Sequence, residues 1–163
     1  MEEDIFIQLY SEYFKIVYRY LYSLTFNQQK AEDLTQDVFI RAMCVLNVPD
    51  SRIKAWLLTV ARNLYIDYIK KSSKITYTPE EVLMEHTSGD IQNELEDKHM
   101  LAAVIARLRM LPDTQRQAVV LCLVNELSYE EASEVMGLSV SAVTNLIYRA
   151  RKNLRALRRS QDE

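Results

Sequence analysis

Glycine and proline are scarce in this chain: its 163 residues include two glycines and three prolines. Folds built from strands and tight turns need glycine and Asn-Gly signals at regular spacing, and this sequence lacks them. Hydrophobic residues make up 48% of the chain, which is enough to form a core. We therefore expect an all-α fold.

Long apolar runs and cysteine frameworks are also missing. The longest apolar run, Ala118–Val124, is far too short to span a membrane. The first residues, Met1–Asp4, carry three acidic groups and no basic one, unlike a secretion signal. Cys44 and Cys122 both stand among apolar residues, and two such cysteines do not make a disulfide framework. We expect two reduced thiols in the core of a cytoplasmic protein.

The overall charge is acidic, but its distribution is uneven. The net charge of −3 and the isoelectric point of about 5.5 argue at first against a nucleic-acid partner. Residues 73–103 carry two basic and seven acidic groups, whereas residues 137–160 carry six basic groups and no acidic one. The acidic total therefore conceals a basic segment near the C-terminus, and such a segment can face phosphates.

Apolar residues recur at helical spacing through the first 72 residues. The pattern predicts three helices: one from about Asp4 to Leu24, one capped by Asn27 that continues through Met43, and one capped by Asp50 or Ser51 that ends at Lys70–Lys71. From Ser72 onward the periodicity gives way to Ser, Thr, Pro, Gly and acidic residues, although Thr78–Glu81 has the form of a capping box that would allow a short helix. We expect an acidic linker at 73–93 between two small helical domains, 1–72 and 94–163.

The C-terminal domain has the pattern of a helix-turn-helix. Ser128–Glu131 is a capping box that opens a short helix to Met136, Gly137 follows as a C-cap, and Ser139 caps a final helix that extends to about Arg159. Such a unit places its second helix in a major groove of DNA. Seven apolar residues have the spacing of a buried seam between its helices: Ala132, Val135, Leu138, Val143, Ile147, Ala150 and Leu154.

The opposite side of the final helix carries side chains suited to DNA. Asn can read adenine and Arg can read guanine with paired hydrogen bonds, and a Thr methyl suits a thymine methyl. Backbone amides at the helix starts after Ser128 and Ser139 can bind phosphates. The alternative is a solvated basic helix with no ligand. The turn between the helices, the apolar seam and the basic charge all favour DNA binding instead. We expect DNA contacts from Thr144, Asn145, Tyr148, Arg149, Arg151 and Lys152, with Arg155, Arg158 and Arg159 able to hold the backbone.

Longer segments of the chain resemble a known family. Ala31–Ala42 (AEDLTQDVFIRA) and Ala55–Lys71 (AWLLTVARNLYIDYIKK) closely resemble the region-two helices of bacterial sigma factors. The stretch from Leu111 through Arg116 to Tyr148–Arg151 resembles their region four. The two resemblances cover nearly the whole chain in the right order.

The spacing of the two regions narrows the resemblance further. About 40 residues separate Lys71 from Pro112, and roughly half of them belong to the first helix of the second domain. No room remains for an intervening globular domain, so the chain resembles an extracytoplasmic-function (ECF) sigma factor. The resemblance implies a protein that binds RNA polymerase core, directs it to promoters and melts DNA. It also implies a membrane-associated anti-sigma partner, with no catalytic activity, metal or cofactor.

The same resemblance assigns roles to residues of the first domain. Polar residues on one surface of the second helix would dock on the clamp helices of the polymerase's largest subunit: Glu32, Asp33, Gln36, Asp37 and Arg41. The alternative for this surface is an ordinary solvated face, and we expect Phe39 and Trp56 in the core. Asn63 matches a position near the melted minus-ten element, and the 47–54 loop matches the base-capturing loop. Five basic residues could follow the strand's phosphates: Arg52, Lys54, Arg62, Lys70 and Lys71.

In region four, the resemblance places Thr144, Asn145, Tyr148 and Arg149 at DNA-contacting positions. Many relatives have Lys or Arg in place of Thr144 and Leu146, so this chain departs from the family pattern there. Two rival hypotheses remain. A one-component regulator would bind DNA specifically without polymerase. An enzyme would need a catalytic or metal constellation, which His86 and His99 lack.

Overall fold

The computed structural model describes residues 2–45, 50–72 and 95–162. These ranges form seven α-helices and no strand, in agreement with the all-α expectation. The helices are α1 (Glu2–Thr25), α2 (Gln28–Cys44), α3 (Ile53–Ser72), α4 (Leu95–Arg109), α5 (Asp113–Val119), α6 (Tyr129–Met136) and α7 (Val140–Asp162). A 3₁₀ turn, Asp50–Arg52, precedes α3, and a π-helical turn, Val120–Val124, follows α5.

Three helices form the N-terminal half, which comprises residues 2–45 and 50–72. Aromatic side chains spaced four apart pack together along α1, with ring centroids 5.1 Å apart for the tilted pair Tyr10 and Phe14 and 6.0 Å apart for the stacked pair Phe14 and Tyr18. The predicted cap of α2 is confirmed, because the Asn27 side chain accepts a hydrogen bond from the backbone N–H of Lys30 at 3.1 Å.

The core of this half lies where α1, α2 and α3 meet. Its fully buried members include Val17, Leu21, Val38, Leu57 and Leu58. Phe39 is also buried, as expected, and Trp56 is half-buried and packs against the core.

The C-terminal half, residues 95–162, is built around α5, the π-helical turn and the helix-turn-helix. Leu121 in the π-helical turn is fully buried, and the backbone N–H of Leu127 donates to its carbonyl at 2.9 Å. That bond directs the chain from the π-helical turn into α6.

The two halves pack against each other. Helix α6 lies against α3, and α1 lies against α5 and the π-helical turn. The Tyr20 hydroxyl donates to Gln117 Oε1 at 3.1 Å, and Asn125 Nδ2 donates to the Ile16 carbonyl at 3.1 Å. The sequence pattern predicted two helical domains, but it did not predict this direct contact between them.

The expectation that both cysteines are buried was wrong for one of them. Cys122 is buried in the π-helical turn, whereas Cys44 is exposed. Cys44 is the last residue of α2, and its neighbours Met43 and Val45 are also exposed, at 52% and 48%. Apolar neighbours in sequence therefore did not imply burial at this helix end.

Some sequence expectations fall outside the described residues. These are the linker at 73–93 with its capping box Thr78–Glu81, the first part of the 47–54 loop, His86, and the side chains of His99 and Arg159. Among the helices that are described, none is both long enough and apolar enough to cross a membrane.

Replacing Leu58 with alanine tests the packing of the N-terminal core. Because Leu58 is fully buried, Leu58→Ala should lower the free energy of unfolding by about 2–5 kcal/mol. Leu123→Ala is the matched control, since Leu123 is 45% exposed and should lose far less. Urea denaturation followed by circular dichroism measures both, and equal losses would contradict this packing.

Candidate nucleic-acid interface

Side-chain and glycine caps define the turn between α6 and α7. Ser128 Oγ accepts from the Glu131 N–H at 3.1 Å, and the Glu131 carboxylate accepts from the Ser128 N–H at 3.1 Å, which confirms the capping box. Gly137 ends α6 with a φ of 67°, a left-handed conformation that favours glycine. Ser139 Oγ then accepts from the Ala142 N–H at 3.1 Å and caps α7.

These caps refine the expected role of the two serines. Because the Ser128 and Ser139 hydroxyl oxygens accept bonds from their own helix starts, any phosphate contact there would come from neighbouring backbone amides. Both serines are exposed, so the helix starts are open to a partner.

The predicted seam between α6 and α7 is largely confirmed. Its buried members are Ala132, Val135, Val143, Ile147 and Ala150, and Leu154 is partly buried against them. The prediction for Leu138 was wrong, because its side chain is 39% exposed. Leu138 lies in the turn between the two helices, outside the helical periodicity on which the prediction rested.

The side of α7 that faces away from the seam is exposed and polar, as predicted. Thr144, Asn145, Tyr148, Arg149, Arg151 and Lys152 are all exposed, with Tyr148 at 70%. The Thr144 hydroxyl donates to the Val140 carbonyl at 2.9 Å within the helix. That bond occupies the hydroxyl hydrogen, so the outward contacts of Thr144 are limited to its methyl group and oxygen lone pairs.

Four of these side chains line one open groove of about 610 Å³. They are Thr144, Tyr148, Arg151 and Lys152, and Tyr129 from the start of α6 also lines the groove. Basic groups and two tyrosines along one groove suit a nucleic-acid backbone. The sequence analysis missed Tyr129, although an aromatic residue directly after the cap of the first helix was an available signal.

The expected minus-ten residues lie on or near α3. Asn63, Lys70 and Lys71 are exposed, whereas Arg62 is only partly exposed. Arg52, at the entrance to α3, pairs with Glu134 of α6 at 3.8 Å, and both side chains are more than half exposed. The candidate minus-ten residues therefore lie on or near α3, the same helix that packs against α6 of the helix-turn-helix.

The expected polymerase-docking surface is a continuous exposed face of α2. All five predicted residues are exposed: Glu32, Asp33, Gln36, Asp37 and Arg41. Ile40 lies on the same face and is 59% exposed, with Met43 one turn from it at 52%. The sequence analysis did not include these two apolar residues in the docking surface. Their exposure beside charged groups is typical of a surface that a partner covers.

Side chains that could bind a metal ion are not clustered in the part of the chain that the structure describes. No group of three or more His, Cys, Asp or Glu side chains there could hold an ion.

Comparison with known proteins gives the family. The family model for Sigma-70 region 2 matches residues 9–75, and the model for Sigma-70, region 4 matches residues 101–154. The ECF RNA polymerase sigma factor SigM of Bacillus subtilis is 34% identical over 92% of this chain and 93% of its own length. The chain therefore belongs to the ECF sigma factors of RNA polymerase, which recognise promoters and initiate transcription.

Two solved structures are similar to the whole chain. The first is the sigma factor RpoE in complex with the anti-sigma factor NepR from Bartonella quintana, with a TM-score of 0.74 and 27% identity over 94% of this chain and 96% of that one. The second is CnrH in complex with the cytosolic domain of CnrY, with a TM-score of 0.70 and 26% identity over 97% of this chain and 90% of that one.

Gly137 provides a test of the turn that orients α7. A Cβ at Gly137 would meet nothing within 4 Å, so Gly137→Ala should destabilise the chain through backbone strain alone, by about 1–2 kcal/mol. Gly137→Asn should lose less, because asparagine tolerates the left-handed conformation. Thermal unfolding of both variants checks this order, and a stabilised Gly137→Ala would refute the geometry.

Proposed function

We propose that the two halves of this sigma factor divide promoter recognition between them. Residues 1–72 bind core polymerase and the minus-ten element, residues 94–163 bind the minus-thirty-five element, and residues 73–93 join the two. The observation that carries this proposal is the exposed face of α7, which combines a polar reading surface with a basic groove on a capped helix-turn-helix.

At the upstream element, some side chains read the bases and others contact the DNA backbone. Asn145 and Arg149 lie one turn apart on the outermost side of α7 and read base edges. Tyr148, Arg151 and Lys152 contact phosphates from the groove, together with Tyr129. On the downstream element, Asn63 contacts the melted strand, while Arg62, Lys70 and Lys71 follow its phosphates.

The partner for α2 is the clamp-helix pair of the polymerase's largest subunit. Support comes from the composition of the face, in which the exposed Asp33, Gln36 and Asp37 precede the exposed Ile40 by one to two helical turns. A combination of one apolar contact with a polar rim is typical of helix docking surfaces.

An anti-sigma factor associated with the membrane is the proposed regulator. The relatives RpoE and CnrH were solved with NepR and with the cytosolic domain of CnrY, which supports a cytoplasmic encounter. The similarity to both relatives extends over more than nine tenths of this chain, so it includes both halves. The chain itself acts as an initiation factor in the cytoplasm, without catalysis, metal or cofactor.

Replacing Arg149 tests base reading at the upstream element. Arg149→Ala should weaken binding to that element by about 1–3 kcal/mol and relax its specificity at one base pair. The control is Arg19→Ala, because Arg19 is an exposed arginine on α1. Transcription with core polymerase from matched and mismatched promoters provides the measurement. If Arg149→Ala discriminates between them as well as the parent chain, Arg149 does not read DNA.

Reversing one charge on α2 tests the docking face. Asp33→Arg should abolish capture by core polymerase in a pull-down while leaving the helical circular dichroism unchanged, since Asp33 is exposed. Glu12→Arg makes the same charge change at an exposed site on α1 and should leave capture intact. Capture of Asp33→Arg at the parent level would reject the assignment.

A further inference from the structure

A cleft of about 490 Å³ is lined by residues of α1, α4 and the π-helical turn. Aromatic rings come from Tyr18 and Tyr22 of α1 and from Phe26 just after it, with 6.0 Å between the centroids of successive rings. Aliphatic side chains come from α4 and the π-helical turn: Leu101, Val104, Ile105, Leu108, Val120 and Val124. None of the residues proposed to bind DNA or core polymerase lines this cleft, so it is separate from both surfaces.

The apolar lining of the cleft is partly open to solvent. The side chains of Leu101, Val104 and Val124 are 54%, 48% and 40% exposed. Exposed apolar side chains grouped on one surface are typical of a binding site. The volume of the cleft also lies within the range of small-molecule pockets, which is about 300–1,000 Å³.

Two basic residues, Lys15 and Arg19, also line the cleft. They lie four residues apart on α1, so they are neighbours on the surface of that helix. Both are exposed, and neither forms an ion pair with any acidic residue that the structure describes. Long basic side chains can lay their methylene groups along an apolar surface while the charged end stays in water. The cleft therefore combines an apolar interior with a cationic edge.

The neutral polar residues of the cleft already have partners. Ser23 Oγ donates to the Tyr20 carbonyl at 2.6 Å, and Gln28 Nε2 donates to Glu32 Oε1 at 3.2 Å. Glu32 itself does not line the cleft, and neither does any other acidic residue in the described ranges. The two cations are therefore the main attraction for the polar end of a ligand, and they favour an anion.

We propose that this cleft binds a free amphipathic carboxylate of the medium-chain fatty acid type. Its apolar tail lies among the rings of α1 and the aliphatic side chains of α4, and its carboxylate contacts Lys15 and Arg19. Ammonium and guanidinium groups both donate charge-assisted hydrogen bonds to carboxylates. This inference goes beyond promoter recognition, and its test needs neither polymerase nor DNA, so the two can fail separately.

The charge of the ligand is tested with three probes that share a ten-carbon chain: decanoate, decanol and decyltrimethylammonium. Isothermal titration calorimetry of the full chain, with each probe below its micelle-forming concentration, measures their affinities. One decanoate should bind per chain, about three- to tenfold more tightly than decanol, because exposed ion pairs contribute modestly. Decyltrimethylammonium should bind most weakly, since its cation meets two others.

Replacing both cations tests the site of the carboxylate. Lys15→Gln/Arg19→Gln should lower the affinity for decanoate to that for decanol and leave the affinity for decanol unchanged. The matched control is Arg151→Gln/Arg155→Gln, which removes two exposed basic residues four apart on α7. It should bind decanoate as the parent chain does.

Filling the cleft tests the site of the apolar tail. Val104→Trp should weaken the binding of decanoate and decanol roughly tenfold or more, because each CH₂ group kept in water lowers the affinity about fourfold. Val104 is half-exposed, so the larger side chain should not disturb the core, and an unchanged circular dichroism spectrum checks this. Val140→Trp is the matched control, since Val140 on α7 is 42% exposed and does not line the cleft.

Four results would overturn the proposal. The first is the absence of saturable decanoate binding, and the second is equal affinity for the three probes. The third is binding to phosphatidylglycerol vesicles without binding of free decanoate, which would assign the surface to a membrane. The fourth is a parent chain that sediments as a dimer and a Val104→Trp variant that sediments as a monomer, which would assign the cleft to a second copy.

Discussion

Arg116 is a buried cation at the contact between the two halves, and groups from both halves lie against its guanidinium. Its guanidinium donates to the Leu111 carbonyl at 3.2 Å and pairs with Asp113, while its other side faces the Phe26 ring. A buried charge is tolerated only when such partners surround it. Through these contacts Arg116 links the turn between α4 and α5 to Phe26 in the turn between α1 and α2.

The local features of the fold could be predicted because each depends on residues close in sequence. The caps at Asn27 and Ser128, the left-handed Gly137 and the seam around Val143 all follow from short-range patterns. Predictions were wrong at Cys44 and Leu138, where a helix end and a turn interrupt the periodicity that relates sequence to burial. Periodicity identifies an apolar face but does not say how far a helix is covered.

Contacts between the halves could not be predicted by the same reasoning. The Tyr20–Gln117 and Asn125–Ile16 bonds join residues about 100 positions apart, and no single-sequence pattern pairs them. The candidate site shows a similar division. The exposed face of α7 followed from spacing and charge, whereas the fold was needed to show that Tyr129 of α6 lines the same groove as Tyr148 and Arg151 of α7. The periodicity of a sequence thus predicts which side chains one helix exposes. The fold shows which exposed side chains from different helices lie on the same surface.

The central claim is that this chain gives RNA polymerase its promoter specificity and does not regulate transcription by binding DNA alone. Run-off transcription with purified core polymerase and fragments of the host genome, with start sites mapped, tests it most directly. The account predicts initiation only when chain and core are both present, at sites that share an upstream and a downstream element at a constant spacing. Sequence-specific DNA binding by the chain alone, with no core-dependent initiation, would contradict it.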